Sequence, residues 1–131
     1  MDLGLQGKRA LVCASSNGLG RGCAEALAEA GVDLVLNGRD AARLQATVAE
    51  ISARTGANVT GIVADITTET GRAQVLAAAG AVDILVTNAG GPPPGIWSDW
   101  SRDDFIRAID ANMLTPIALM PSTPRGWYTG T

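Results

Sequence analysis

The stretch Cys13-Ala14-Ser15-Ser16-Asn17-Gly18-Leu19-Gly20 links an apolar run to a helical pattern, and the chemistry it offers is that of main-chain donors. Small residues let a backbone come close to an anion. Open N–H groups at a helix start, with the positive end of the helix dipole, can hold a pyrophosphate without any Lys. The strict Gly-x-Gly-x-x-Gly fingerprint is not met, because counting from Gly18 its last position falls on Cys23. Taken alone, the loop also admits a reading in which its glycines only permit a tight turn and close helix packing.

Absent residue types exclude other chemistry. The 131 residues contain no His, which removes a Ser-His-Asp triad, an imidazole base and a His-ligated metal. Lys8 is the sole Lys and Tyr128 the sole Tyr. Cys13 and Cys23 stand ten positions apart, without the close pairing of a zinc or redox site, and read as two small buried hydrophobes. A net charge of −3 with only ten scattered basic residues gives no stripe to neutralise a run of phosphates, so no nucleic acid partner is expected. Apolar runs such as Val75 to Ala79 are far too short for a bilayer, and the N-terminus lacks a signal-peptide pattern. The expectation is a cytoplasmic protein without a membrane partner. At this length roughly two thirds of the extended chain's surface can be buried, enough for one core.

The elements that must position the loop follow from periodicity. Arg9 to Ala14 reads as a strand, and Leu19, Cys23, Ala26, Leu27 and Ala30 recur at helical spacing up to Gly31. Val32 to Asn37 is a second strand; Asp40 caps a helix whose Leu44, Val48 and Ile51 share a face and which ends near Gly56. Asn58 to Ala64 is a third strand, followed by an Ala-rich helix from Thr68 to Ala79 that contains an unexpected Gly71. Asp83 to Thr87 is a fourth strand with a continuously apolar centre, as a parallel sheet covered on both faces requires. The alternation predicts an α/β doubly wound parallel sheet. After Pro92-Pro93-Pro94, Ser101 and Asp104 form a capping box, and Phe105, Ile109, Met113 and Ile117 line a last helix that Pro116 should kink or end.

With Asp65 after the third strand, Asn88-Ala89-Gly90 after the fourth and Asn112 in the last helix, beside the loop at 13–20, the chain resembles the classical short-chain dehydrogenases/reductases, and in Asn88-Ala89-Gly90-Gly91-Pro92-Pro93-Pro94-Gly95 it is similar to their 3-oxoacyl-[acyl-carrier-protein] reductase-like members. Residues 13 to 20 follow the spacing of that family's Thr-Gly-x-x-x-Gly-x-Gly signature, with Cys13 for the Thr and Ala14 for the first Gly. Asp65 follows the third strand, Asn88-Ala89-Gly90 the fourth, and Asn112 lies in the last helix, each where the family places such residues. The resemblance implies a Rossmann fold with strand order 3-2-1-4. It further implies that Ser15, Ser16, Asn17, Gly18, Leu19 and Gly20 cradle phosphates, that Asp65 and Ile66 lie near the adenine, and that Asn88, Ala89 and Gly90 lie at the nicotinamide-side ribose. Asn112 is then the one catalytic position retained. Each motif also has a purely structural reading: Asp65 as a helix cap, Asn88 as a partner for backbone groups, Asn112 bonded within its own helix.

The implied cofactor is NADP or NAD, and the end of the second strand favours NADP. Gly38 stands where NAD-selective sites carry a carboxylate, and Arg39 follows with a planar fork suited to a 2′-phosphate, unless it is simply solvated. The family's reaction interconverts a small carbonyl and an alcohol and needs a Tyr with a Lys four residues later, beside a Ser. Tyr128 has no such Lys. The expected organisation is therefore a partial NAD(P)-binding domain over residues 1–120 and an unrelated tail over 121–131, inactive alone. Its fourth strand is an edge, so self-association into a homo-oligomer is expected. The alternative is a non-catalytic nucleotide-binding or interaction module on the same fold.

Overall fold

The computed structural model of the chain describes residues 1–91 and 93–123. Strands β1 (Arg9–Val12), β2 (Asp33–Gly38), β3 (Val59–Val63) and β4 (Ile84–Val86) alternate with helices α1 (Gly18–Glu29), α2 (Ala41–Thr55) and α3 (Glu69–Ala79). All strand pairs are parallel, in the expected order β3-β2-β1-β4, and Val12 lies beside both Leu36 and Val86. A parallel sheet of this kind must be covered on both faces, and β1 shows how its sequence achieves it. Ala10 and Val12 pack with Leu34, Leu36, Ala24, Ala28, Leu44 and Ile51 on one side, while Leu11 and Cys13 pack with Val35, Val75, Val82 and Leu119 on the other.

The buried face of α1 differs from the expected one. Gly20, Ala24 and Ala28 turn inward, while Leu19 is 85% exposed and Cys23 is exposed. Residues without long side chains bring the helix axis close to the sheet, and that close approach outweighs the preference for burying Leu19. Only Cys13 of the two cysteines is therefore a buried hydrophobe; burial pushes its thiol up to about 11, against a smaller opposing effect of the Asn88 backbone N–H.

In α2 the capping is as expected: Asp40 Oδ1 accepts from the Arg43 N–H at 3.0 Å, and Leu44, Thr47 and Ile51 are buried. Thr68, one residue before α3, caps that helix by accepting from the Gly71 N–H at 3.0 Å. Gly71 stands there because a Cβ would lie 1.9 Å from the Asp65 carbonyl oxygen. It marks a close contact in the first turn of the helix, where it does not interrupt the helix interior.

The last helical stretch comprises α4 (Arg102–Ile109), a π turn over Asp110–Leu114 and α5 (Thr115–Leu119). The predicted capping box is present, with Asp104 Oδ2 accepting from the Ser101 N–H at 2.8 Å and Ser101 Oγ accepting from the Asp104 N–H at 3.3 Å. Pro116 neither ends nor simply kinks this helix. It has no N–H to give the Asn112 carbonyl, and the helix widens one turn earlier, so that the Thr115 N–H reaches the Asp110 carbonyl. The stripe of Phe105, Ile109, Met113 and Ile117 is real but uncovered, each side chain being about half exposed, while Thr115 and Leu119 face inward. A final 3-10 turn spans Met120–Ser122, and the Val82 N–H donates to the Ser122 carbonyl at 2.8 Å. Most of the expected tail, including Tyr128, lies outside the described residues. Among the described residues no helix is long and apolar enough to cross a membrane.

Candidate functional site

The chain leaving β1 is held on both sides before it turns into α1. On the β4 side the Cys13 N–H donates to the Val86 carbonyl at 3.0 Å. On the β2 side the Ser15 N–H donates to the Asn37 carbonyl at 2.9 Å, its hydroxyl donates to the same oxygen at 3.2 Å, and that hydroxyl accepts from the Asn37 N–H at 3.2 Å. Ser15 is wholly buried by this arrangement and does not reach the cleft; it fixes the loop from behind.

Between these anchors Ala14 adopts φ +47°, the left-handed region that glycine favours and that costs an L-residue roughly 1–2 kcal/mol. The turn directs its carbonyl toward α1, where it accepts from Asn88 Nδ2 at 3.2 Å. Gly20 passes so close that a Cβ would lie 2.3 Å from this carbonyl oxygen and 2.9 Å from Asn88 Nδ2. No side chain fits at that position without a backbone shift.

The start of α1 is left open. Asn17 is the extended N-cap residue, its side chain makes no capping bond, and the Arg21 N–H closes the first turn on the Asn17 carbonyl at 3.2 Å. The N–H groups of Ser16, Asn17, Gly18, Leu19 and Gly20 have no acceptor among the described residues. A helix of twelve residues thus begins with its positive end and a row of unused donors, exposed at Asn17, Gly18 and Leu19 and buried at Gly20.

Ser16 and Asn17, at the head of this row, border a cleft of about 420 Å³ at the carboxyl ends of the strands. Ala14, Ser16 and Asn17 line it from the first loop, Gly38, Arg39, Asp40 and Arg43 from the end of β2, Asp65, Ile66 and Thr67 from beyond β3, and Ala89 and Gly90 from beyond β4. The cleft lies where the chain, having built the sheet outward from β1 through β2 and β3, returns to add β4 on the other side. Open α/β sheets hold their ligands at such a switch point. A neighbouring hollow of about 460 Å³ shares Thr67, Gly90 and Gly91 and runs along α4 past Asp104 and Arg107.

Asp65 is prepared for a donor. Its Oδ1 accepts from the Thr67 N–H at 3.0 Å and the Thr67 hydroxyl at 2.7 Å, which hold the carboxyl below the usual carboxylate range, with a further contribution from the Arg39 charge. Oδ2 has no hydrogen bond among the described residues. Asp65 therefore organises a local turn, whereas the cap of α3 is Thr68.

Many of the predicted positions meet here: Ser16, Asn17, Arg39, Asp65, Ile66, Ala89 and Gly90 line the cleft, and Asn88 braces the turn behind it, while Gly18, Leu19 and Gly20 form the first turn of α1 and are not among the lining residues. Asn112 does not join them. It is exposed on the π turn, and its Nδ2 donates to the Ala108 carbonyl at 3.0 Å within the same helix. Its neighbour Ala111 is the residue that reaches the cleft. Two contributors escaped the sequence reading. Asn37 ties β2 to β3, donating to the carbonyls of Ile62 at 3.2 Å and Ala64 at 3.0 Å, and Thr67 completes the Asp65 turn. A polar residue ending an apolar strand and an Asp-x-Thr spacing were their only signals.

Comparison with known proteins bears on this arrangement. The family model described as short chain dehydrogenase matches residues 8–127. The uncharacterized oxidoreductase YvaG of Bacillus subtilis is 35% identical over 120 residues, covering 91% of this chain and 46% of that protein. The 3-oxoacyl-[acyl-carrier-protein] reductase FabG of Aquifex aeolicus is 34% identical over 117 residues, covering 86% and 47%. Among solved structures, L-sorbose reductase from Gluconobacter frateurii, complexed with NADPH and L-sorbose, superposes with a TM-score of 0.85 at 27% identity, covering 93% of this chain and 48% of that one. A short chain dehydrogenase from Burkholderia cenocepacia in complex with NADP gives a TM-score of 0.77 at 36% identity, covering 90% and 50%. The chain spans about half the length of the relatives it matches. Strand order, the open amide row and the family match across residues 8–127 agree, and the chain belongs to the short-chain dehydrogenase family of oxidoreductases.

Proposed function

We propose that these 131 residues form a nicotinamide-dinucleotide site of the short-chain dehydrogenase/reductase type, binding NADP in preference to NAD. The observation that carries this reading is the row of N–H groups from Ser16 to Gly20, without acceptors at a helix N-terminus whose leading residues Ser16 and Asn17 line a cleft. The residues suit the group. A diphosphate needs close backbone approach, and the missing side chain at Gly20 provides it; an adenine amino group needs an acceptor, and Asp65 Oδ2 is one. When bound, the nicotinamide supplies or accepts a hydride at the carbon of a carbonyl/alcohol pair. This chain's own contribution is to bind and orient that cofactor.

The preference for NADP rests on β2. Gly38 brings no carboxylate to repel a 2′-phosphate, and a Cβ there would lie 3.2 Å from Ser16 Oγ. Arg39 is exposed beside it, with no ion pair among the described residues. Turnover is a separate matter: the chain's single Lys, Lys8, precedes β1, so no Tyr-x-x-x-Lys pair is present in these residues. The chain alone binds the dinucleotide and does not reduce a carbonyl substrate. It also associates with itself through the half-exposed Phe105, Ile109, Met113 and Ile117 and the edge strand β4. A monomer at every concentration in sedimentation equilibrium contradicts that part.

Isothermal titration of the purified chain with NADPH and with NADH tests the binding. Saturable heat with NADPH and weaker heat with NADH is the expected result. No heat with either removes the reading, and a measured turnover that survives further purification removes the claim of inactivity. A non-catalytic nucleotide-binding or interaction module on the same fold also allows nucleotide binding, and only an enzyme turns over NADPH with a carbonyl substrate.

A further inference from the structure

The segment that carries Asp65 to the cleft is folded back on the helix that follows it. The chain leaves β3, turns over Asp65 to Thr68 and enters α3, and the Asp65 carbonyl accepts from the Thr68 N–H at 3.1 Å and the Thr68 hydroxyl at 2.8 Å. The carbonyls of Ile66 and Thr67, both residues that line the cleft, accept no main-chain N–H among the described residues. One atom takes both: Arg72 Nη1 donates to each at 3.1 Å.

Arg72 gains nothing from its own helix. It is the fourth residue of α3, and a cation there lies near the positive end of the helix dipole. Helical side chains lean toward the N-terminus, which carries a long one from this position over the turn before the helix. Other guanidinium groups are used elsewhere. Arg21, Arg54 and Arg107 reach carboxylates, and Arg9, at the start of β1, reaches the Ala79 carbonyl at the opposite end of the sheet from the cleft.

The clasp bears directly on Asp65. The Ile66 carbonyl and the Thr67 N–H belong to one planar peptide group and point in opposite directions. Arg72 holds the carbonyl end, and the N–H end donates to Asp65 Oδ1 at 3.0 Å. Polarising the carbonyl strengthens the bond made by the N–H. Arg72 itself is not among the residues that line the cleft. From this we infer that Arg72 is a positioning residue for base recognition, fixing the peptide that keeps Asp65 Oδ2 turned to the exocyclic amino group of adenine. The inference rests on the reading above of Asp65 as the adenine acceptor and adds a residue of α3 that the cleft lining does not indicate.

The test compares AMP with purine riboside 5′-monophosphate, which lacks only the amino group, by calorimetry on wild type, Arg72→Met and Arg72→Lys. Wild type should favour AMP by about fivefold or more, the worth of one hydrogen bond. Arg72→Met keeps the apolar stem and removes the donors; it should bring the two nucleotides to within about twofold by weakening AMP alone. Arg72→Lys, whose ammonium can donate to both carbonyls, should keep most of the preference. Comparing two ligands on one protein cancels a general loss of stability, and Arg72→Gln stands in if Arg72→Met does not fold. A preference that survives removal of the guanidinium, or equal weakening of both nucleotides, overturns the inference and leaves the dinucleotide reading intact. Wild type that binds both equally overturns the inference together with the Asp65 contact, and wild type that binds neither overturns the dinucleotide reading as well.

Discussion

Asn88 Nδ2 donates to the carbonyl of Ala14 at 3.2 Å, so the segment after β4 holds the left-handed turn after β1. The same carbonyl and the same amide nitrogen are the atoms a Cβ on residue 20 would strike. One contact therefore sets how closely α1 approaches the sheet and where its open amides point.

Gly20→Ala should consequently be costly. Its Cβ meets backbone at 2.3 Å, and relieving that clash moves either α1 or the Ala14 turn. We expect a loss of about 2 kcal/mol or more in denaturant unfolding, together with loss of nucleotide binding. Gly22→Ala, two residues on in the same helix with nothing within 4 Å, is the control and should stabilise by about 0.5–1 kcal/mol.

Ala14→Gly should act in the opposite direction. It removes the left-handed penalty on an L-residue, partly offset by the greater freedom of glycine in the unfolded chain. The expected net gain is up to about 1 kcal/mol in chemical denaturation, with nucleotide binding retained. A loss of stability would show that the Ala14 methyl makes contacts outweighing its backbone strain.

The fold was legible where periodicity and turn chemistry agreed. Short apolar and β-branched runs marked all four strands, Asp40 and the Ser101/Asp104 pair marked two helix starts, the alternation pointed to a parallel sheet, and the order 3-2-1-4 came from the family resemblance. The face of α1 was misread because hydrophobicity points to Leu19 and Cys23, while close helix–sheet contact selects Gly20, Ala24 and Ala28 for smallness. The π turn was not legible: Pro116 announces a disturbed helix, but the pattern does not show that the helix widens over Asp110–Leu114 and runs on through Thr115–Leu119, with Thr115 and Leu119 buried. At the site, spacing located the loops, yet it could not separate residues that face the cleft from those that brace it. Ser15 and Asn88 are hydrogen-bonded into the protein, and Asn112 is bonded within its own helix.

Asp65 gives a pH dependence with a definite sign. Hydrogen bonds from Thr67, chiefly from its hydroxyl, lower its folded-state pKa, so the carboxylate contributes stability that is complete above the ordinary value of about 3.9. That contribution is lost as pH falls through the lower, folded-state value. Asp65→Ala should be less stable than wild type at neutral pH, and the difference should shrink under acid conditions in parallel urea titrations. A difference independent of pH would assign the loss to packing instead.

The central claim is that the N–H groups from Ser16 to Gly20 hold the diphosphate, and amide-resolved nuclear magnetic resonance of the nitrogen-15-labelled chain tests it most directly. On titration with NADPH the account predicts saturable shifts at Ser16, Asn17, Gly18, Leu19 and Gly20, with smaller changes around Asp65 and Ala89. Saturable binding that leaves those five amides unmoved contradicts it.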